Sequence, residues 1–262
     1  MEVGVFCSSN KPYLWGNLYE TLSATSVNFN LCIAGPYPPI EPLPGNVKYI
    51  QTNVKPAQCY FIAEQNTIGE CIMMMADDVS LTPYCLDDLV GMMDGKMTIA
   101  SCKYSRTINL DQAHYWFVDK RVPKIEGKWK VITLDFPLPI GAMMYREIFD
   151  DIGIDKNYIA MNWNVDMYFN VVSNGGKIIL SNKSVLSDLK ISGLCKVGGD
   201  YNYLTEMWFN GDKFRHKRKN PVSPLVYNDT VLTVSQGRVH PSVLEKREYK
   251  VGTKSKIIPD WV

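Results

Sequence analysis

The chain has 262 residues, 46% of them hydrophobic and 21% charged, with a formal net charge of +1. That length suits one large domain, or one domain with a small appendage. Balanced charge excludes a whole-molecule attraction to polyanions, so any nucleic-acid or membrane binding must come from a local patch, of which "KFRHKRKN" (213–220) is the clearest.

No apolar run approaches the ~18 residues that span a bilayer. The opening "MEVGVFCSSN" has neither the basic start nor the long apolar run of a signal peptide, so a cytoplasmic protein is expected. The seven cysteines are odd in number, form no C-x-x-C pair and mostly sit among apolar neighbours, which predicts reduced core thiols. His114, His216 and His240 share no ligand spacing with cysteines, so a zinc site is not expected.

In chain order, "EVGVFCS" reads as a first buried strand. A helix follows, with Leu14, Leu18 and Leu22 at four-residue steps along one face and Pro12 near its start, where a missing N–H costs little. "FNLCIAG" is a second strand, ended by the turn-rich "GPYPPIEPLPGN". "VKYIQT" is a third strand, "PAQCYFIAEQNT" a helix with Cys59, Ile62 and Ala63 on its inner face, and "GECIMMMADD" a fourth strand. This alternation of helices with strands apolar on both faces predicts a mainly parallel α/β sheet with helices on both sides.

The fourth strand ends in two adjacent carboxylates, Asp77 and Asp78, directly after the apolar run Ile72 to Ala76. Ionised carboxylates resist burial unless something positive meets them. In doubly wound sheets, ligands bind beyond the carboxyl ends of the strands. Asp77 and Asp78 lie there, as do Ser8, Ser9 and Asn10 after the first strand. A polar-ligand site is therefore expected. The competing reading makes the two aspartates caps of a helix around Leu86 to Val90, and the serines caps of the helix that follows them.

Further on, "MTIASCKYSR" reads as a strand, and residues 106–135 show little periodicity but several aromatics. "LPIGAMMYREIFDDIGI" gives a short strand and a helix, "WNVDMYFNVVSNGG" a helix closed by Gly175 and Gly176, and "KIILSNKSVL" a strand. Past about residue 195 the pattern weakens into a less regular extension.

Three stretches in this order resemble the GT-A glycosyltransferases, specifically the family 2-like group. They are "VGVFCSSNKP", "AQCYFIAEQNTIGECIMMMADDV" and "IGAMMYREIFDDIGIDKNYIAMNWNVDMYFNVVSNGGKI", which together cover roughly residues 3–180. The resemblance implies a GT-A (Rossmann-like) domain over 1–195, built on a mixed, mainly parallel sheet, with a nucleotide-sugar half (1–95) and an acceptor half (96–195), and an extension (196–262) packed on it. It implies a metal-dependent transfer of a sugar, with inversion, from a UDP-, GDP- or other nucleotide-sugar donor to a hydroxyl on a glycan, protein, lipid or DNA. The compact style is similar to phage-encoded members of this group.

By the same resemblance, Asp78 is the ligand of a Mn²⁺ or Mg²⁺ ion that bridges to the donor diphosphate, and Asp77 meets the ribose or an outer-shell water. Ser8, Ser9 and Asn10 stand where the family holds base and ribose, and Lys55 and Asn66 fall in the nucleotide-side helix region. Many relatives end their second strand in an aspartate that contacts the base, where this chain has Gly35 and Pro36. Asp166 matches the second carboxylate of the acceptor-side motif, while Asn164 occupies the first position and an amide cannot take the acceptor's proton; either the register is off by two and Asp166 is the base, or the enzyme does not use that carboxylate. Asp188 stands near the family's third metal ligand. Two further readings remain: a nucleotidyltransferase, which usually needs a Gly-rich loop this chain lacks, and a nucleic-acid-binding module built on the basic run 213–220.

Overall fold

The computed structural model describes residues 1–105, 140–152, 154–155, 157–160 and 163–189, together with short strands at 117–119, 124–125, 128–129, 134–136, 248–251 and 254–257. The chain forms β1 (Glu2–Ser8), α1 (Trp15–Ser23), β2 (Asn28–Gly35), β3 (Val47–Gln51), α2 (Pro56–Glu64), β4 (Cys71–Met75), β5 (Val79–Leu81), α3 (Cys85–Gly91) and β6 (Thr98–Ser105). There follow β7 (Phe117–Asp119), β8 (Lys124–Ile125), β9 (Lys128–Trp129), β10 (Leu134–Phe136), β11 (Ala142–Tyr145), α4 (Arg146–Ile152), α5 (Trp163–Ser173), β12 (Lys177–Asp188), β13 (Glu248–Val251) and β14 (Lys254–Ile257).

Eight strands make one sheet in the order β3-β2-β1-β4-β11-β6-β12-β5. β3, β2, β1 and β4 run parallel, as do β6 and β12, while β11 is antiparallel to both its neighbours and β5 is antiparallel to β12. The short strands pair separately as β7 with β10, β8 with β9 and β13 with β14. Residues 106–135, aperiodic in the sequence, thus include short ladders.

Side-chain alternation divides the core in two. Cys71, Met73 and Met75 of β4 pack with Val3, Val5 and Cys7 of β1 against Trp15, Leu18 and Leu22 of α1 and Leu86 and Leu89 of α3. Ile72 and Met74 pack with Phe6 against Ala57, Cys59 and Ala63 of α2, Phe149 of α4 and Trp163, Met167 and Val171 of α5. Period-2 strands buried on both faces dictate this double cover. The described cysteines (Cys7, Cys32, Cys59, Cys71, Cys85 and Cys102) are buried free thiols, as expected, and Cys195 lies outside the described residues. Gly175 adopts φ +84, the left-handed conformation that closes α5.

One charged network fastens the amino edge of the sheet. Glu64, at the end of α2, is fully buried in its side chain, and Arg146, at the start of α4, pairs with it. Arg146 also donates Nε to the Gly69 carbonyl at 3.0 Å and Nη2 to Thr67 Oγ1 at 2.9 Å. Burial pushes the Glu64 carboxyl above its ordinary range, against the pull of a bond from Gln65 and of Arg146.

Removing one partner of a buried pair strands the other. Arg146→Met is therefore expected to lower the unfolding free energy by about 3–5 kcal/mol at neutral pH, read from urea denaturation. A carboxyl whose folded pKa lies above its unfolded one costs stability as pH rises past the unfolded value. The deficit of Arg146→Met should therefore shrink as pH falls towards the carboxylate range, where Glu64 takes up a proton.

Candidate functional site

The register of β1 on β4 builds the site. Cys7 pairs with Met75, so the residues two places beyond each, Ser9 and Asp77, leave the sheet side by side. Ser9 Oγ donates to Asp77 Oδ2 at 2.6 Å. The same oxygen accepts the Lys11 N–H at 3.1 Å and the Trp15 indole N–H at 2.6 Å, so the hydroxyl has no rotational freedom left.

The positive partner that the strand-end carboxylates require is Lys11. Its Nζ lies 2.7 Å from Asp78 Oδ2 and 3.5 Å from Asp77 Oδ1, with the lysine side chain 16% exposed. Burial pushes the Asp77 carboxyl up, and the Ser9 hydrogen bond and Lys11 oppose that push. Burial alone would lower the Lys11 ammonium, but its bond to Asp78 and the charge of both aspartates raise it instead. Asp77 and Asp78 do not cap α3: β5 intervenes, and α3 carries its own Asp87 and Asp88 in its first turn.

The second strand closes the back of the site. Ser9 N–H donates to the Ala34 carbonyl at 3.0 Å, and a Cβ placed on Gly35 would meet the Ser9 carbonyl oxygen at 1.8 Å. Gly35 thus stands where it does because the Ser9 backbone occupies the space of any side chain there. Ser8 is the last residue of β1, paired with Ala34, and Asn10 is exposed on the turn.

β12 approaches from the other side. It is irregular between Leu180 and Val185, where Asp88 accepts bonds from the Ser181 and Ser184 hydroxyls. Beyond that irregularity Asp188 pairs with Val79, and Leu189 N–H donates to the Asp78 carbonyl at 2.9 Å. The backbone of Asp188 is thus brought beside Asp78.

The remaining candidates are placed as follows. Lys55 precedes α2 at the carboxyl edge, but it is 2% exposed and its N–H donates to Gln58 Oε1 at 3.3 Å. Asn66 is not brought to this edge. α2 returns across the sheet, so its far end lies at the amino edge, where Asn66 bonds Lys48 Nζ at 2.7 Å and the Ile62 carbonyl at 2.8 Å. Asp166 lies in the first turn of α5, 3% exposed, with Asn170 Nδ2 3.5 Å from its Oδ2. Asn164 in the same turn reaches Met74 Sδ of β4 at 3.6 Å. His114 and the basic run 213–220 lie outside the described residues.

Sequence reasoning did not single out Lys11 or Trp15. The signal for Lys11 was indirect: two carboxylates at a buried strand end demand a cation, and a lysine stands in the adjacent first turn. Among the described residues no group of three or more His, Cys, Asp or Glu is arranged to hold a metal. The donor set still suits a hard divalent cation, because both aspartates offer carboxylate oxygens, Asp78 is partly exposed, and an ammonium already stands against them. With both carboxylates ionised against one ammonium (−2 + 1), the cluster keeps a formal charge of −1.

No family model matches the sequence, and a search of curated proteins finds no match. Among solved structures, the chain is similar to S. aureus TarS 1–349, with a TM-score of 0.52 and 12% identity over 84% of this chain and 74% of that one. It is also similar to TarS 1–349 in complex with UDP (TM-score 0.50, 12% identity, 71% of this chain) and with UDP-GlcNAc (0.50, 14%, 74%). It spans 60% of the length of each of those two chains. At such identities the likeness is one of fold: a mixed, mainly parallel sheet covered by helices, of the GT-A type that the sequence led us to expect.

Gly35→Ala should force the Ser9 turn away from β2. An overpacking loss of about 1–3 kcal/mol in unfolding free energy is expected, measured by denaturant titration. A variant as stable as the parent would show that the turn yields freely.

Proposed function

We propose that this protein is a glycosyltransferase that moves a sugar from a nucleoside diphosphate sugar to a hydroxyl acceptor. The observation that carries the reading is the Ser9–Asp77–Lys11–Asp78 cluster at the carboxyl ends of β1 and β4. It stands at the edge where sheets of this class bind nucleotides. The reading draws support from the likeness to TarS chains in complex with UDP and UDP-GlcNAc.

In this reading the donor lies across the ends of β1 and β4. The fixed Ser9 turn and Asp77 orient its nucleoside, and Ser8 and Asn10 flank the base. Lys55, 2% exposed at the start of α2, stands behind the site rather than in direct contact with the donor. Asp78, with Asp188 beside it on β12, would hold Mn²⁺ or Mg²⁺, which when bound offsets the negative charge that grows on the departing nucleoside diphosphate. The bond from the sugar's anomeric carbon to the diphosphate oxygen breaks as the acceptor oxygen forms a new bond to that carbon. The acceptor's proton goes to Asp166, which implies inversion. A carboxylate in the first turn of α5 suits that task where the acceptor hydroxyl comes within hydrogen-bond reach of it.

Two measurements test this. Calorimetry with UDP should show binding that strengthens with Mn²⁺ in the parent, and loss of the Mn²⁺ effect in Asp78→Ala with the fold intact. Equal UDP binding with and without Mn²⁺ would remove the metal from the reading, and no binding of UDP or GDP under either condition would remove the function itself.

The second uses slow hydrolysis of UDP-GlcNAc and a panel of other nucleotide sugars, which needs no acceptor. Asp166→Asn should bind UDP as the parent does while hydrolysis falls by roughly 10²- to 10⁴-fold. Hydrolysis at the parental rate would exclude Asp166 as the base.

A further inference from the structure

The Lys11 ammonium stands on the carboxylates that would serve a metal–diphosphate donor. It lies 2.7 Å from Asp78 and 3.5 Å from Asp77. Its backbone is held in place, since its N–H bonds Ser9 Oγ at 3.1 Å and its carbonyl accepts the Leu14 N–H at 3.0 Å, just before the turn Pro12–Leu14. Only the four-carbon side chain is left to move. That side chain is a flexible stem with a compact charge, suited to swinging between anions.

We propose that Lys11 is an exchangeable internal counter-ion: it neutralises the Asp77–Asp78 pair until a divalent cation arrives with the donor, then yields Asp78 to that cation and bonds the donor's diphosphate. This rests on the donor reading above and adds a role for a residue that the reading leaves unused.

Charge accounting supports the exchange. Two carboxylates and one ammonium sum to −1. The diphosphate of a nucleotide sugar brings about −2 and the cation +2, so the loaded site also sums to −1. A donor entering without the cation would raise the total to −3. A cation entering without the donor would have to compete with a lysine already bonded to Asp78. Two cations sharing one carboxylate repel at contact distance, strongly so where water is partly excluded. The arrangement therefore disfavours the bare metal and favours the metal–diphosphate complex, which offers the displaced ammonium a new anion.

The test measures Mn²⁺ alone by the loss of its free electron paramagnetic resonance signal, and UDP with Mn²⁺ by calorimetry. Lys11→Met removes the charge while keeping the length of the side chain, and Lys11→Gln does so with a polar end. Both are expected to bind Mn²⁺ alone at least tenfold more tightly than the parent, and UDP–Mn²⁺ at least tenfold more weakly. A residue that merely braces the fold would move both affinities in the same direction, or neither. Folding of each variant is checked by circular dichroism, and Lys11→Arg, which keeps the charge, should retain the parent's weak binding of bare Mn²⁺.

Unchanged or weaker binding of Mn²⁺ alone in both neutral variants would overturn the exchange, while leaving the donor reading in place if the parent still binds UDP with Mn²⁺. Failure of the parent to bind nucleoside diphosphate with Mn²⁺ would overturn both.

Discussion

The site depends on a carboxylate held almost out of water at the end of a buried strand. Asp77 is 5% exposed, and a charge in that position survives only if donors and a cation are brought to it. The parallel register of β1 on β4 supplies them. It sets Ser9 against Asp77, and the turn after Ser9 then carries Lys11 back over both aspartates. Trp15 completes the arrangement by bonding the serine that bonds the aspartate. One strand pairing thus links a hydroxyl, an ammonium and two carboxylates by contacts of 2.6 to 3.5 Å.

The neighbouring elements of the first half of the chain serve that edge. Gly35 lets the Ser9 backbone sit against β2, and α2 begins at the same edge as the strands end. The Glu64–Arg146 network at the amino edge ties α2 and the start of α4 to the approach to β4. The two edges divide the work: a buried ion pair fastens one, and a cluster of which only Asp78 is substantially exposed stands at the other.

Most of the fold was legible because its elements carry strong patterns. Leu14, Leu18 and Leu22 announce α1, and the apolar run 72–76 announces β4. Direction was less legible. The short apolar run of "GAMMY" says strand without saying that β11 runs against its neighbours, and three residues after Asp78 are too few to announce β5. The side-chain cluster was legible where polar groups sit at strand ends, in Ser9, Asp77 and Asp78, which the structure brings together. Lys11 was hidden because its partner lies 67 residues away and only the register joins them. Asn66 entered through the resemblance, as a residue of the nucleotide-side helix region, which takes no account of α2 carrying it to the amino edge beside Lys48.

The seam between β5 and β12 bears on how the molecule comes into being. Val79 pairs with Asp188, and the Asp78 carbonyl waits on the Leu189 N–H. Closing so long a loop is entropically slow relative to the local β1–α1–β2 contacts. During synthesis, then, β1 to β4 can assemble while the downstream chain is still emerging. Asp78 gains its final backbone partner only after residue 189 has left the ribosome. Until then the nascent chain holds only part of the eight-stranded sheet, and the turn at Asp77 and Asp78 stays open on the side that β12 later closes.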